Sequence, residues 1–298
     1  MLGEAAALAS ACLWALSTIV IKGVTGRLSA SYIMAVRTAI AAALALGALF
    51  LFWPERASFD LPATAAVLLV STAPLAIAGD LAFVRALAVS DVSRVFTLST
   101  SLYILLSVAG GAVFIGEEVS WLLPFGAFAI LAGTRLVLRE TAADAAPPAG
   151  AGGVATRQAS ATAVLQLSVT AALLWSSGLL ILTEALKDAD PVFALALRLP
   201  FMAAAMAGLA AVRGDYARFG FGAENLRVVG FSGVLALLSM LCFLYAADQS
   251  EAGRVAVLTS TSPIFAAPLA WVLLREHVSR RVWAGTFLSM AGIWLSVA

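Results

Sequence analysis

Ten apolar runs, each long enough to cross a lipid bilayer, restrict what this chain can fold into more than any other feature of its sequence. The hydrocarbon core of a bilayer is about 30 Å thick and needs roughly 20 helical residues, with a range of about 17–25. The runs are apolar on all sides, whereas the strands of a membrane β-barrel alternate apolar and polar residues. The sequence therefore predicts an all-α integral membrane protein with ten transmembrane helices, near residues 5–21, 30–53, 63–84, 95–115, 119–138, 162–183, 191–212, 228–247, 255–274 and 282–297.

The composition agrees with a lipid environment. Apolar residues make up 62% of the chain and charged residues 12%, against about 45–50% and 25% in soluble domains. The net charge of +1 provides no basic field for nucleic acid. Cys12 and Cys242 lie inside apolar runs and are interpreted as small buried hydrophobes. We expect the lipid bilayer, and no nucleic acid, among the partners of this chain.

Motifs that carry enzymatic chemistry are absent from the sequence. It contains no G-x-x-x-x-G-K-[ST], no G-x-S-x-G and no H-E-x-x-H, and its single histidine, His277, lies between two apolar runs. These motifs bind ATP phosphates, present a nucleophile or hold zinc in enzymes that use them. The sequence predicts a protein that is not an enzyme, with no catalytic residues, no ATP, no cofactor and no metal site.

A linker rich in proline, glycine and alanine, residues 139–160, divides the chain nearly in half. It predicts a first five-helix repeat over residues 1–138 and a second over residues 161–298. Trp14 and Arg37 are 23 residues apart, as are their counterparts 161 residues later. These counterparts are Trp175 and Arg198. Further pairs match at offsets of 160 and 159, as deletions in loops would produce: Phe83 with Phe243, Arg94 with Arg254, Glu117 with Glu276, Gly126 with Gly285 and Gly133 with Gly292.

The odd number of spans in each half inverts the second repeat relative to the first. Inverted repeats characterise secondary transporters, in which the substrate site lies near the midplane between the repeats. The alternative is an old duplication with no bearing on mechanism. The glycine pairs, spaced seven residues apart, predict close packing of the last helix of each repeat.

Three of these patterns carry a resemblance to a known family. They are W-x₂₂-R early in each half, R-V-x-x-L-x-[ST] at the fourth span of each half, and a Glu-x-Val-Ser turn before each last span. The chain resembles the drug/metabolite transporter superfamily and, within it, is similar to EamA-type exporters and to the bacterial aromatic amino-acid exporters. The resemblance implies helices 1–4 and 6–9 around a central cavity, with helices 5 and 10 at the periphery.

The expected function is export of small metabolites, with amino acids, including aromatic ones, as the favoured substrate class. A phosphate substrate would call for several cations in the cavity. Only two arginines lie inside spans, and this favours zwitterionic substrates over phosphates. Export of cationic drugs or of other metabolites is an alternative within transport. A channel or a membrane-embedded interaction protein is an alternative from a different class. The sequence leaves the substrate, the driving ion and the oligomeric state open.

The distribution of basic residues predicts the orientation. The face that carries both termini has three lysines and arginines, and the opposite face has thirteen. Cytoplasmic loops carry the excess of positive charge. We expect both termini in the periplasm, the linker in the cytoplasm, and the protein in the bacterial inner membrane.

Arg37 and Arg198 are repeat-related charges inside spans 2 and 7. A charge at the middle of a span costs about 2.5–3.5 kcal/mol on insertion scales, so such residues face a cavity or a partner. One interpretation is that they attract a substrate carboxylate. The other is that each guanidinium reaches the nearest interface or bonds the carbonyls of a helix end.

Asp80 lies in span 3, beyond Pro74, and its counterpart in the second repeat is Met240. Phe83 shares its helix face at i,i+3 spacing. Asp80 can serve as a cavity carboxylate that binds an ammonium group or a proton. Alternatively, it forms a salt bridge with an arginine near the cytoplasmic end of the span, such as Arg85.

Aromatic residues deep inside spans predict an aromatic-lined cavity, since tryptophan normally concentrates at the membrane interface. Their rings can stack on flat side chains and attract an ammonium group by cation–π contact. Helix packing or lipid contact is the alternative for each of them. The candidates are Trp14 with Trp175, Phe83 with Phe243, and the hydroxyl-bearing Tyr103 and Tyr245.

Overall fold

The computed structural model of the protein describes residues 2–52, 61–116, 121–144, 161–249 and 258–297. Regular structure in these ranges is helical throughout. The long helices are α1 (Leu2–Lys22), α2 (Ala30–Phe52), α3 (Ala63–Val89), α4 (Val92–Gly110), α5 (Leu123–Asp144), α6 (Ala161–Ala185), α7 (Pro191–Val212), α8 (Ala223–Gln249), α9 (Ser262–Leu274) and α10 (Arg280–Val297). A π-helical segment, Gly111–Ile115, extends α4, and a five-residue helix, Asp215–Phe219, lies between α7 and α8.

Seven of the described helices, α1–α4 and α6–α8, are long and apolar enough to cross a membrane. Large apolar side chains also face outward, where lipid would cover them: Leu51, Phe128 and Val212 are 77%, 75% and 88% exposed. Helices of this length and apolar character, with large apolar side chains facing outward, confirm the all-α membrane class.

One helix end agrees with the sequence prediction, and one differs from it. Gly116 has φ 76°, a left-handed conformation that glycine adopts without steric cost, and it ends the fourth helical segment where a break was expected. Residues 117–120, which complete that connection, lie outside the described ranges. Pro263 was expected inside span 9, but α9 begins at Ser262 and Pro263 lies in its first turn, where a missing N–H costs nothing.

The packing of the helices follows an approximate two-fold pattern between the halves. Helix α1 packs against α8 and α9, and its repeat counterpart α6 packs against α3 and α4. Helix α2 contacts α8 as α7 contacts α3. The equivalent helices α2 and α7, α4 and α9, and α5 and α10 pair with one another. The structure therefore shows two related halves, and the helices of each half pack against helices of the other.

Small residues allow the closest of these contacts, between α5 and α10. A Cβ atom on Gly285 would lie 2.7 Å from the carbonyl oxygen of Gly133, and one on Gly292 would lie 2.6 Å from that of Gly126. Backbone therefore meets backbone at both levels, as the seven-residue glycine spacing predicted.

We expect Gly285→Ala to destabilise the protein, because the added methyl group forces two backbones apart. Overpacking of this kind costs about 1–3 kcal/mol. Gly208→Ala on α7 is the matched control, since nothing lies within 4 Å of the new Cβ. Thermal unfolding of the purified variants in detergent measures the difference. A midpoint as high for Gly285→Ala as for Gly208→Ala would show that the α5–α10 contact tolerates separation.

One face of the molecule, which we call the linker face, carries residues 23–29, 90–91, 213–222 and 275–279. Contacts tie these segments together: Lys22 Nζ to the Ser90 carbonyl at 2.7 Å, Tyr32 Oη to the Gly220 carbonyl at 2.7 Å, Arg27 to Glu224 at 2.9 Å and the Val92 N–H to Glu276 at 2.8 Å. The largest hydrophobic core lies towards this face and includes the fully buried side chains of Val24, Tyr32, Leu87 and Phe96.

Candidate functional site

Three aromatic rings from three helices meet at the centre of the helix assembly. The ring of Phe83 on α3 lies 5.1 Å from that of Trp175 on α6 and 6.5 Å from that of Trp14 on α1. Trp14 and Trp175, which occupy equivalent positions in the two repeats, meet edge to face at 6.5 Å. Phe83 is buried, whereas both indoles keep part of their surface exposed. These rings therefore line accessible space as well as packing on one another.

Two further rings extend this group, which we call the aromatic cluster: Trp14, Phe83, Phe96, Tyr103 and Trp175. Tyr103 on α4 contacts Trp175 at 6.2 Å, and Phe96 contacts Phe83 at 6.1 Å, both edge to face. Edge-to-face pairs contribute about 0.5–1.5 kcal/mol beyond the area they bury. The cluster is therefore a cohesive lining built by α1, α3, α4 and α6.

Asp80 is held by the cluster through a single hydrogen bond. The indole Nε1–H of Trp175 donates to Asp80 Oδ1 at 2.9 Å. Gly79 makes this approach possible, since a Cβ there would lie 2.7 Å from Trp175 Cδ1. Within the described residues, no hydrogen bond occupies the second carboxylate oxygen. Asp80 as a whole keeps part of its surface exposed.

Arg37 is buried and has protein partners. Its guanidinium lies 5.3 Å from the centroid of the Trp14 ring, and Nη2 donates to Ser17 Oγ at 3.1 Å. Ser17 in turn bonds Ser232 on α8, with 3.1 Å between the hydroxyl oxygens. Arg37 therefore joins α1, α2 and α8 beside the aromatic cluster.

Arg198, the repeat counterpart of Arg37, has a different environment. Its Nε is buried without a hydrogen-bond partner in the described part of the chain, while the side chain as a whole is half-buried. The positive charge of Arg198 attracts the carboxylate of Asp80, and Arg198 also interacts electrostatically with Tyr103. A buried donor without a partner costs about 1–3 kcal/mol. Arg37 Nε is buried without a partner as well, but Arg37 is held through its Nη2, whereas no hydrogen bond holds Arg198 in the described residues. Arg198 is therefore the freer of the two to bind an anionic group.

The structure does not bring every predicted residue into this site. Phe243 packs near Ala7, Ala246 and Leu258, apart from its repeat counterpart Phe83. Tyr245 is 47% exposed on the outside of α8. Helix α8 thus places neither of its candidates with the aromatic cluster.

The alternative salt bridge for Asp80 is also not formed with Arg85. That arginine is exposed, and the carboxylate instead receives the Trp175 hydrogen bond and the field of Arg37 and Arg198. Five residues of helix rotate a side chain by about 140° beyond a full turn, given 3.6 residues per turn. Asp80 and Arg85 therefore point to different sides of α3.

Sequence reasoning missed three residues of the site: Ser17, Gly79 and Phe96. Ser17 lies one turn from Trp14 on α1, and Gly79 precedes Asp80, so helix spacing could have suggested both. Phe96 has no aromatic counterpart in the second repeat, where Ala256 occupies the equivalent position. The repeat comparison therefore gave no signal for it.

Sequence comparison assigns the chain to a family. The model of the EamA-like transporter family matches residues 1–139 and 162–298, which together cover both halves on either side of the linker. The chain belongs to the EamA-like transporter family. This EamA-like chain is therefore a multi-pass membrane transporter of small molecules, as the motifs of its two repeats predicted.

A solved structure described as "Crystal structure of protein" has a TM-score of 0.61 against the EamA-like chain, with 17% sequence identity, and the alignment covers 96% of each chain. At this identity the likeness shows the fold alone. No curated protein matches the sequence.

Proposed function

We propose that this EamA-like protein exports amino acids, including aromatic ones, by alternating access through the cavity that the aromatic cluster lines. One observation supports the substrate class above all: the site combines a carboxylate with a free oxygen, Asp80, and a guanidinium with an unpaired donor, Arg198. The two attract each other electrostatically without a hydrogen bond in the described structure. A zwitterion can be inserted between them.

Each group of an aromatic amino acid has a partner in this arrangement. The ammonium group would bind the free oxygen of Asp80, and the carboxylate would bind Arg198, since charge-assisted hydrogen bonds are about twice as strong as neutral ones. The aromatic side chain would stack in the cluster beside Trp14 and Trp175. The half-exposed indoles provide the flat faces that such contact needs.

The charges of the site argue against the competing substrate classes. A phosphate ester would bring two negative charges against Asp80. Of the two arginines in the described site, Arg37 is already bonded to Ser17, and only Arg198 has no hydrogen bond. A monovalent organic cation would meet Asp80 but also the repulsion of Arg198. Like charges disfavour one another most strongly where water is scarce. A zwitterion balances both charges, and therefore fits best.

The proposal includes the membrane arrangement predicted from the sequence. We propose ten transmembrane spans in two inverted repeats, no use of ATP or of a cofactor, and residence in the bacterial inner membrane. The two-fold packing of α1–α5 with α6–α10 supports the repeat arrangement. The excess of basic residues that the sequence predicts on the side of the linker supports a cytoplasmic location for that side.

Counterflow in liposomes tests the proposed function. Vesicles containing the purified protein are loaded with unlabelled phenylalanine, and uptake of labelled phenylalanine is followed at tracer concentration. We expect saturable uptake that the internal substrate accelerates, in competition with other amino acids. Loading with a phosphate ester or a quaternary ammonium compound should give no acceleration. Uptake that neither saturates nor responds to internal substrate would indicate a channel and contradict the proposal.

The orientation is tested separately by fusions at the C-terminus. Because the sequence predicts thirteen basic residues on the side of the linker and three on the side of the termini, we expect an alkaline phosphatase fusion to be active and a green fluorescent protein fusion to be dark. The same pair of reporters placed within residues 145–155 should give the opposite result. A fluorescent C-terminal fusion would place the termini in the cytoplasm.

A further inference from the structure

The linker face contains an ionisable contact between the two repeats that the substrate site does not use. Glu276 lies in the connection between α9 and α10, in the second repeat. Its carboxylate accepts hydrogen bonds from the backbone N–H of Val92 at 2.8 Å and of Ser93 at 3.3 Å. Both N–H groups belong to the first turn of α4, in the first repeat. Glu276 therefore supplies the cap that α4 needs, although its own N-cap residue, Asp91, makes no side-chain cap bond.

The chain takes a costly conformation to place this carboxylate. Arg275 has φ 56° and ψ 30°, and it is the one described non-glycine residue with a positive φ. Side chains other than glycine, asparagine and aspartate rarely adopt this left-handed conformation. It ends α9 and turns Glu276 towards α4. Strained backbone persists where the surrounding structure requires it, and it concentrates at functional and switching positions.

A second contact closes the adjacent helix end. Lys22, the last residue of α1, donates from Nζ to the carbonyl oxygens of Leu87 at 2.6 Å and Ser90 at 2.7 Å, at the end of α3. Lys22 and Glu276 also attract each other electrostatically across the α3–α4 turn. Together they fix both ends of this turn, on the linker-face side of the buried side chains of Phe83, Leu87 and Phe96.

We propose that Glu276 is a latch: it holds the linker face closed by binding the first turn of α4, and it must leave that turn when the cavity opens to this face. The latch rests on alternating access, which is part of the proposed function, but on no particular substrate. Because the contact joins one repeat to the other, movement of the repeats past each other on this side breaks it. The caps within each repeat are not broken by that movement.

The titration of Glu276 makes the latch sensitive to pH. Burial raises the pKa of this carboxyl, which lies outside the membrane-spanning segments, and Asp91 raises it further, while the two N–H donors and Lys22 lower it. Once the face opens, water surrounds the carboxyl and its pKa returns towards the ordinary value. The closed state therefore takes up a proton more readily, so acid favours closure and rising pH favours opening.

Thiol labelling of a buried reporter tests the latch without any substrate. In a background with Cys12→Ala and Cys242→Ala, the reporter is Ala86→Cys, at a fully buried position on α3 close to the linker face. We expect Glu276→Ala to raise the rate of maleimide labelling in detergent by about tenfold, because the N–H groups of Val92 and Ser93 lose their acceptor. Glu224→Ala is the matched control, since it removes an exposed ion pair between the repeats on the same face, and it should change the rate less than about twofold.

A second reporter separates opening of the face from loss of the fold. Ala45→Cys lies on α2, away from the linker face, and is also buried. Glu276→Ala should leave its labelling unchanged. An unchanged rate at Ala86→Cys would overturn the latch, and so would an equal rise at both reporters, which would show that Glu276 supports the fold as a whole. Failure of amino-acid counterflow with a faster rate at Ala86→Cys alone would instead reject the proposed substrate and keep the latch.

Glu276→Gln tests the pH dependence, because it keeps an oxygen acceptor but cannot ionise. At each pH, the labelling rate at Ala86→Cys with Glu276 present is divided by the rate with Glu276→Gln. This ratio cancels the titration of the reporter thiol, which both proteins share. We expect this ratio to fall towards one as the pH is lowered from alkaline to mildly acidic. A ratio that rises in acid would show that ionised Glu276 closes the face more firmly, and would overturn the pH-sensitive latch.

Discussion

Asp80→Asn should lower the apparent affinity for zwitterionic amino acids by roughly 10- to 100-fold while leaving the protein folded. The amide oxygen of asparagine can still accept the Trp175 Nε1–H bond that holds Asp80 at 2.9 Å. The substitution therefore removes the charge and leaves the local geometry. A hydrogen bond to a charged group contributes about 1.5–3 kcal/mol, and about 1.4 kcal/mol corresponds to a tenfold change in affinity.

The comparison of two substrates makes this test specific. Phenylalanine loses its ammonium partner in the variant, whereas phenyllactate, which carries a hydroxyl group in place of the ammonium, does not. Affinity for phenyllactate should change by less than about threefold, since no full charge pair is lost. Asp188→Asn, at an exposed position between α6 and α7, is the control for a surface carboxylate.

Other outcomes give Asp80 a different role. If downhill exchange survives at normal affinity while the response to a pH gradient disappears, Asp80 carries a proton and the ammonium group has another partner. If neither affinity nor pH response changes, the carboxylate serves only to order Trp175. Either result would contradict the proposed clamp for a zwitterion.

Arg198→Gln should weaken substrate binding, whereas Arg37→Gln should lower the stability of the fold, although the two arginines are equivalent in the repeats. Arg198 has a buried Nε without a partner in the described residues, so its loss removes little that the fold uses. We expect weaker binding of phenylalanine by roughly tenfold or more, the loss of one charge-assisted bond to a carboxylate. Binding of phenethylamine, which has no carboxylate, should not weaken.

Arg37→Gln should instead lower stability. It removes the guanidinium from the Trp14 face at 5.3 Å and the bond to Ser17 at 3.1 Å, in a side chain that is only 6% exposed. A buried bond of this kind contributes about 1.5–3 kcal/mol. The unfolding midpoint in detergent and the affinity are measured for both variants. Equal losses of stability, or a loss of carboxylate selectivity in Arg37→Gln alone, would reverse the assignment of roles.

The sequence by itself determined the class, the repeats and the approximate helix bounds. A run of about 20 apolar residues must satisfy its backbone internally in lipid, and a helix does so without help from distant residues. Glycines seven residues apart share a helix face for the same local reason, so close approach of another helix at these faces could be predicted, although the pairing of α5 with α10 could not. The i,i+3 spacing likewise predicted that Phe83 and Asp80 lie on the same face of their helix.

Only the tertiary structure decided which of the repeat-related residues meet. Trp14 and Trp175 converge, but Phe243 does not join Phe83, because the rotation of each helix is set by contacts with distant parts of the chain. The absence of a side chain at Gly79 admits Trp175 and brings its N–H to Asp80, whereas the equivalent position on α8 is Ser239, which bonds Ser10 instead. The same asymmetry buries Arg37 and leaves Arg198 available. The periodic pattern of the sequence specifies which side chains share a face of each helix. The helices that pack against it determine which of those side chains reach the site.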